Sequence, residues 1–465
     1  MNHAEKITGT IAGLAAMAAL TIAPACAEVS AEEASLLGGP ALTTIGAEKA
    51  GNKEGTIPPY TGTGAKAPPE WDPKKAGVRF DPYHDKPLFS ITAQNAAQYA
   101  DKLDGMIELF KKYPKFRMDI YPTHRDVVLP KYVQDNAIKN ATSCKAVDNE
   151  QKLQGCYGGL PFPIPKTGNQ AMWNHLVSYH VISNRGRAEA WVIPPSGAPA
   201  LVSRGVFLNN WPYYDEDRPG VRGPEELYWR YLGKDEEPAR AAGGQLMILD
   251  PVDQLTFGRR AYIYVTGRRW AKLSANLSYD TPNPYSGATA TMDDSRVFLG
   301  ALDRFDYELV GKKEKFIYYN NWQLSNEQTC PKDKYLASKG FPDPDCIRWE
   351  LHRVWVVKAT LKPGASHLYK KRIFYWDEDG FNAGMSESYD ANGKLFRYAT
   401  NIYYPFYVGE AAGGFGGSSL FIDIDNGVWA SSGAQNCKDC GWNEINIPLP
   451  KNTFDPDAMS GAGIR

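Results

Sequence analysis

Glu350 and His352 stand two apart in the run CIRWELHRVWVVKATLKPG, which alternates as a strand does, so both side chains leave the backbone on one face. A carboxylate beside an imidazole could serve as an acid/base pair; cross-strand polar pairing is the simpler use of the same residues. Asp293-Asp294, with Asp303 and Asp306 downstream, offers oxygen ligands of the kind Ca²⁺ takes. Its spacing is unlike an EF-hand loop, and a solvated acidic loop accounts for it. Asp377-Glu378-Asp379-Gly380 reads as a hairpin turn. His84, His124, His175, His180 and His367 make no motif with cysteine or carboxylate at metal-ligand spacing. Nucleophile-elbow, zinc-protease, phosphate-loop and dinucleotide fingerprints are absent from the sequence. These residues assign no catalytic group, metal or cofactor.

Binding chemistry is better represented. Arg259 and Arg260 open, and Arg268 and Arg269 close, the alternating segment RRAYIYVTGRRW, which also carries Tyr262, Tyr264 and Trp270. Arginine favours planar anions, so the segment could clamp a carboxylate or phosphate at the mouth of an apolar cavity. Blunting exposed strand ends is the alternative use. On the strand that begins at Ile347, Trp349, Arg353 and Trp355 share a face with Leu351, Val357, Ala359 and Leu361. Arg353 would be costly to bury unpaired, so it needs an acidic neighbour or an anionic ligand. The 12 Trp and 27 Tyr exceed what a filled sheet interior needs, and such side chains suit a pocket wall. The expected ligand site is therefore Trp349, Arg353, Trp355, Tyr262, Tyr264, Arg268, Arg269 and Trp270.

Strands must position these residues. The stretch from Cys346 to Thr400 reads as four strands in a row, turned at Lys362-Pro363-Gly364-Ala365, at Asp377 to Gly380 and at Asp390-Ala391-Asn392-Gly393, which makes an antiparallel meander. Its first strand, at about 3.3 Å per residue, reaches roughly 50 Å and must coil. Further strands are expected at Tyr179 to Ile182, Ala188 to Ile193, Leu201 to Leu208, Gln245 to Leu249, Arg260 to Val265, Trp270 to Leu277, Phe305 to Lys312 and Ser419 to Ile424. Helices are expected at Glu28 to Leu37, Thr92 to Tyr113, Lys131 to Ala141 and Gln170 to Val177, with a Gly/Pro-rich strap after Leu37.

Lys6, the apolar run from Ile7 to Ile22 and Ala25-Cys26-Ala27 have the form of a cleavable export signal, cut after Ala27. A lipidated Cys26 competes with that reading, although Ala23-Pro24-Ala25 lacks the large aliphatic residue such a signal usually carries. The six later cysteines fall into local pairs, Cys144 with Cys156, Cys330 with Cys346 and Cys437 with Cys440, as expected of disulfides in an oxidising compartment. Other pairings remain open, and Cys437-Lys438-Asp439-Cys440 also has redox-motif spacing without the βαβ context of one. A net charge of −1 over 465 residues leaves no basic footprint for nucleic acid.

Assembled in order, LTTIGAEKAGNKEGTIPPYTG, KPLFSITAQNAAQYADKL, YPTHR, GLPFPIPKTGNQAMWNHL, RRAYIYVTGRRW, SYDTPNPYSG, FDYELVGKKE, YYNNW and RWELHRVWVVKATLKPG resemble the DUF1329 proteins of Gram-negative bacteria. The resemblance implies a fold grouped with the periplasmic lipoprotein carriers LolA and LolB. It also implies an association with RND-type transporters and outer-membrane proteins, and it transfers no catalytic residue. The expected fold is mainly β: a large curved antiparallel sheet, an open half-barrel over residues 178–465, with a strap and helices at 28–177 over its concave side as part of one unit. The expected function is a periplasmic carrier of a hydrophobic or amphiphilic ligand such as a lipid, an acyl chain or a lipoprotein anchor, associated with the outer membrane. An enzyme acting on an amphiphilic or phenolic substrate and a non-carrier adaptor of a transport complex are the alternatives.

Overall fold

The computed structural model describes residues 29–462 except residues 73, 76–77, 217–225, 269 and 275–276. The leader at residues 1–27, with Cys26, lies outside the described residues, as do Arg269 and the side chain of Arg268. The chain opens with short elements: helix α1 (Ala31–Ala34), strands β1 (Phe89–Ile91) and β2 (Met118–Ile120), and helices α2 (Ala100–Leu103), α3 (Ile107–Lys112) and α4 (Lys131–Ser143). The hairpin β3 (Lys145–Val147) and β4 (Lys152–Gln154) and helix α5 (Gly168–Leu176) follow. Strands then dominate: β5 (Ser183–Ile193), β6 (Ala200–Asn210), β7 (Leu227–Glu237), β8 (Gln245–Pro251), β9 (Arg260–Tyr264), β10 (Ala271–Leu273) and β11 (Phe305–Tyr318). After α6 (Lys332–Tyr335) come β12 (Trp349–Leu361), β13 (Lys371–Asp377), β14 (Gly384–Tyr389), β15 (Leu395–Pro405), β16 (Gly414–Asp423), β17 (Val428–Ala434), β18 (Gly441–Ile445) and a last helix, α7 (Pro456–Ala462).

Sixteen strands make one sheet, in the order β1-β2-β12-β13-β14-β15-β16-β17-β5-β6-β7-β8-β9-β10, with β11 also on β12 and β18 also on β5. The expected meander is its centre, β12 to β15, paired antiparallel. Only the contact of Ile120 with Trp349 is parallel among the described ladders. The sheet is open, because no described ladder joins β10 to the β1 or β11 side. β7, β17 and β18 were not legible as strands: Lys234, Asp235, Glu236 and Glu237 interrupt the first, and Ser431, Ser432 and Gly433 dilute the second. Ladder pairing on both sides holds β7 and β17 as strands despite those side chains.

The helix expected from Thr92 to Tyr113 is broken into two 3₁₀ turns, α2 and α3. The cause is a buried cation. Lys315, on β11, is fully buried and needs acceptors, which the break supplies through the Leu103 carbonyl at 2.9 Å and the Asp104 carboxylate at 2.8 Å. Asp104 takes a positive φ of 50° to do so, and the next amide, Gly105, donates to Glu387 at 2.9 Å. A Cβ at Gly105 would come within 2.7 Å of that carboxylate and 2.8 Å of Leu395, so a side chain there would have to displace both.

Three disulfides join Cys144 to Cys156, Cys330 to Cys346 and Cys437 to Cys440, the local pairing. The sheet is also interlocked in sequence: β5 is held between β6 and both β17 and β18, while β11 is held by β12. Proteolysis between Asn320 and Tyr335 is accordingly expected to release no folded half under native conditions. Two independently folding fragments from such a nick would contradict a single structural unit.

Candidate functional site

A groove lies between β5–β8 and the β16–β17 hairpin, closed over by the segment at residues 283–299. Its cavity volume is about 170 Å³. Its origin is local. Ala188, Ala190, Gly205, Gly233, Gly417 and Ser419 line it, so small residues stand where large ones would fill the sheet interior. Phe207, Trp229, Tyr231, Leu246 and Ile248 supply the apolar wall, with the Trp229 and Tyr231 rings stacked at 5.8 Å. For scale, an engineered cavity of about 150 Å³ holds benzene.

Arg296 points its chemistry into this groove. It is buried, and its Nη2 meets Nε2 of His180, while Nε and Nη1 have no hydrogen-bond partner. No carboxylate oxygen among the described residues lies within 4 Å of the guanidinium. Burial pushes Arg296 down to about 10, which leaves it charged at neutral pH. Burial and the adjacent guanidinium push His180 well below the usual imidazole range, so its ring is neutral and accepts from Arg296. The backbone is strained here: Arg296 and Val297 take φ of 53° and 73°, a region that a β-branched residue such as valine rarely enters. Gln435, in the same groove, accepts from Tyr404 at 3.0 Å, and its Nε2 has no acceptor.

Of the expected ligand residues, the six whose side chains are described, Trp349, Arg353, Trp355, Tyr262, Tyr264 and Trp270, do not line this groove. Trp349, Arg353 and Trp355 do share a face, but that face is filled: Trp349 is 1% exposed with its ring 4.1 Å from Tyr318. Arg353 finds its acidic neighbour within the chain, bonding Glu378 at 2.7 Å and the strap carbonyls of Glu48 and Ala50. Lys312 sits 4.7 Å over the Trp355 ring, and α5 covers the adjoining Trp376 through His175, stacked at 3.7 Å. Tyr264 packs with Met247, Leu249, Phe454 and Met459, and Tyr262 lies against that cluster. Trp270 is exposed beside β10. Of the clamp arginines, Arg259 is buried in a two-point ion pair with Asp250 at 2.8 and 2.7 Å.

The acid/base candidates are likewise spoken for. Glu350 is fully buried and accepts from Arg348 at 2.6 Å, from Asn320 at 3.0 Å and from the His124 amide at 3.0 Å. His352 lies between Glu350 at 3.1 Å and Asp377 at 3.5 Å. Burial alone would lower His352, but Asp377 and Glu350 outweigh it and raise the imidazole to about 9. Burial would raise Glu350, yet Arg348 and His352 hold it down at about 2. One ligand atom each of His352, Asp377 and Asp379 lies within 4.8 Å of the others, but both acids already face a cation, Asp377 facing His352 at 3.5 Å. Asp379 takes both its oxygens to Arg125, at 2.8 and 2.7 Å. Asp293 and Asp294 are not a solvated loop: both are buried against Arg372, His367 and Tyr369.

Arg296 is not legible as a site in the sequence, because it shares a run with Asp293 and Asp294 and nothing in one sequence says which of three charged residues will lack a partner. The signal for the groove was present in Ala188-Glu189-Ala190, small residues at the alternate positions of a strand.

Similar proteins are known for most of the chain. A Pseudomonas aeruginosa protein named uncharacterized protein PA3922 is 35% identical over 454 residues, covering 94% of this chain and 95% of its own. Among solved structures, a DUF1329 family protein from Desulfovibrio piger is 12% identical with a TM-score of 0.39, over 62% of this chain and 95% of that one. The LolA superfamily protein NE2245 from Nitrosomonas europaea is 12% identical with a TM-score of 0.35, over 63% of this chain and 100% of that one. With residues 90–460 matching the family described as protein of unknown function DUF1329, the chain belongs to the DUF1329 family.

Proposed function

We propose that the protein is a binding or carrier protein for a hydrophobic or amphiphilic molecule, such as a lipid, an acyl chain or a lipoprotein anchor, taken up in the groove between β5–β8 and β16–β17. The observation that carries this reading is the groove itself, walled by Phe207, Trp229, Tyr231, Leu246 and Ile248 and kept open by small residues on the facing strands. Burying about 100 Å² of apolar chain there contributes roughly 2.5 kcal/mol before the entropic cost of capture. Three disulfides suit an oxidising compartment, in keeping with work in the periplasm. Its partner in this reading is an RND-type transporter or an outer-membrane protein. The end of the sheet at β10, where Val265, Trp270 and Leu273 are exposed, gives such a partner an apolar edge to meet.

Native mass spectrometry of protein taken from its own periplasm should show a bound small molecule, recovered on organic extraction. Ala190→Phe, which fills the groove at a cost of about 1–3 kcal/mol, should remain folded and lose it. Wild-type protein that carries no molecule and takes up no fluorescent fatty acid would sink the carrier reading.

A further inference from the structure

We propose that the groove selects a ligand bearing a carboxylate, which docks on Arg296 while the apolar remainder runs along Phe207, Trp229 and Tyr231. The inference rests on the carrier reading above and adds the chemical class of the ligand.

Contrast with the other buried arginines carries the argument. Arg79 is paired with Glu410, Arg125 with Asp379, Arg259 with Asp250, Arg348 with Glu350 and Arg372 with Asp294. Folding has met the cost of burying each guanidinium by placing a carboxylate against it. Arg296 is buried as they are and holds a neutral imidazole instead, with Nε and Nη1 left over. Gln435 adds a further donor without an acceptor on the same groove. Donors with no acceptor inside an apolar cavity call for a group that only accepts, and a lone guanidinium calls for an anion. His180 holds Nη2 and cannot itself supply the charge, so the anion must arrive with the ligand.

Glu189, Lys234 and Asp235 also line the groove, but Glu189 is already met by Lys332 at 3.5 Å and Arg204 at 3.8 Å, and neither acid lies within 4 Å of the Arg296 guanidinium. About 170 Å³ of free space fits a ring or a short length of chain, with anything longer extending through the open side.

Calorimetric titration of the full-length mature protein with octanoate and with octan-1-ol tests the inference. Wild type should bind octanoate roughly ten- to a hundredfold more tightly than the alcohol. Arg296→Gln should bind both about equally, and Arg296→Lys should recover part of the preference. Arg296→Gln removes no ion pair, so thermal unfolding should show it folded. Equal binding of the two probes by wild type would overturn the carboxylate inference and leave the carrier reading standing. Preference for octanoate that survives in Arg296→Gln would also overturn it, since the anion would then be held elsewhere. Binding of neither probe by wild type would overturn both readings together.

Discussion

Arg348→Met should cost about 3–5 kcal/mol of folding free energy, read from urea unfolding, because it leaves buried carboxylates without their cation. Arg348 is fully buried and reaches Glu350 at 2.6 Å, Asp85 at 2.7 Å and Asp81 at 3.2 Å, so one guanidinium ties β12 to the segment that precedes β1. Methionine fills a similar volume and offers no charge, and Glu350, fully buried, then has His352 as its one cationic neighbour among the described residues. The same network writes a pH signature. His352 is raised to about 9 from an unfolded value near 6.5, so its contribution is complete below pH 6.5 and is lost as pH rises through 9. That loss amounts to about 3 kcal/mol and should vanish in His352→Gln. Glu350 is depressed to about 2, so its contribution is complete above about pH 4.5 and is lost as pH falls through 2. The two contributions share one contact and do not add. A Glu350→Gln or Arg348→Met variant with wild-type stability at neutral pH would show that the network is not what holds the meander to the N-terminal segment.

Trp349→Ala should cost about 3–5 kcal/mol of stability and leave ligand binding unchanged. The ring is 1% exposed, lies 4.1 Å from Tyr318 across the β11–β12 ladder, and sits where Ile120 of β2 meets the sheet. Removing it opens a cavity among β-strands that are pinned by ladders and cannot collapse to fill it. Arg353→Ala should cost less, because Glu378 keeps Lys312 at 2.7 Å and Arg125 at 3.3 Å when Arg353 is gone. A Trp349→Ala protein that stays as stable as wild type but binds a fluorescent fatty acid more weakly would move the binding site to this face.

The meander shows how far a sequence can be read. Strict alternation from Ile347 to Leu361, with turn chemistry at Pro363-Gly364 and at Asn392-Gly393, made both the strands and their antiparallel order legible, because these are local preferences of the backbone. The disulfides are the local pairs that proximity in the chain favours, although the sequence alone left other pairings open. The position of Trp349, Arg353 and Trp355 on one face was legible for the same reason, since a side-chain period of two needs no knowledge of the rest of the fold.

What covers that face was not. The strap residues Glu48 and Ala50 and helix α5 come from more than 170 positions away, and only their arrival turns Arg353 from an anion site into an internal tie. The break at Asp104 likewise answers a buried Lys315 far along the chain. That Glu350 and His352 face one way is legible in the alternation, yet their charge states depend on burial, Arg348 and Asp377. Arg296 is the sharpest case. By type and spacing it is one charged residue among several in MDDSRVFLG, and the sequence determined no more than that. Tertiary structure buried it, gave Asp293 and Asp294 to Arg372, and left its guanidinium facing an apolar groove, because pairing between charges is settled by three-dimensional proximity and desolvation rather than by order along the chain.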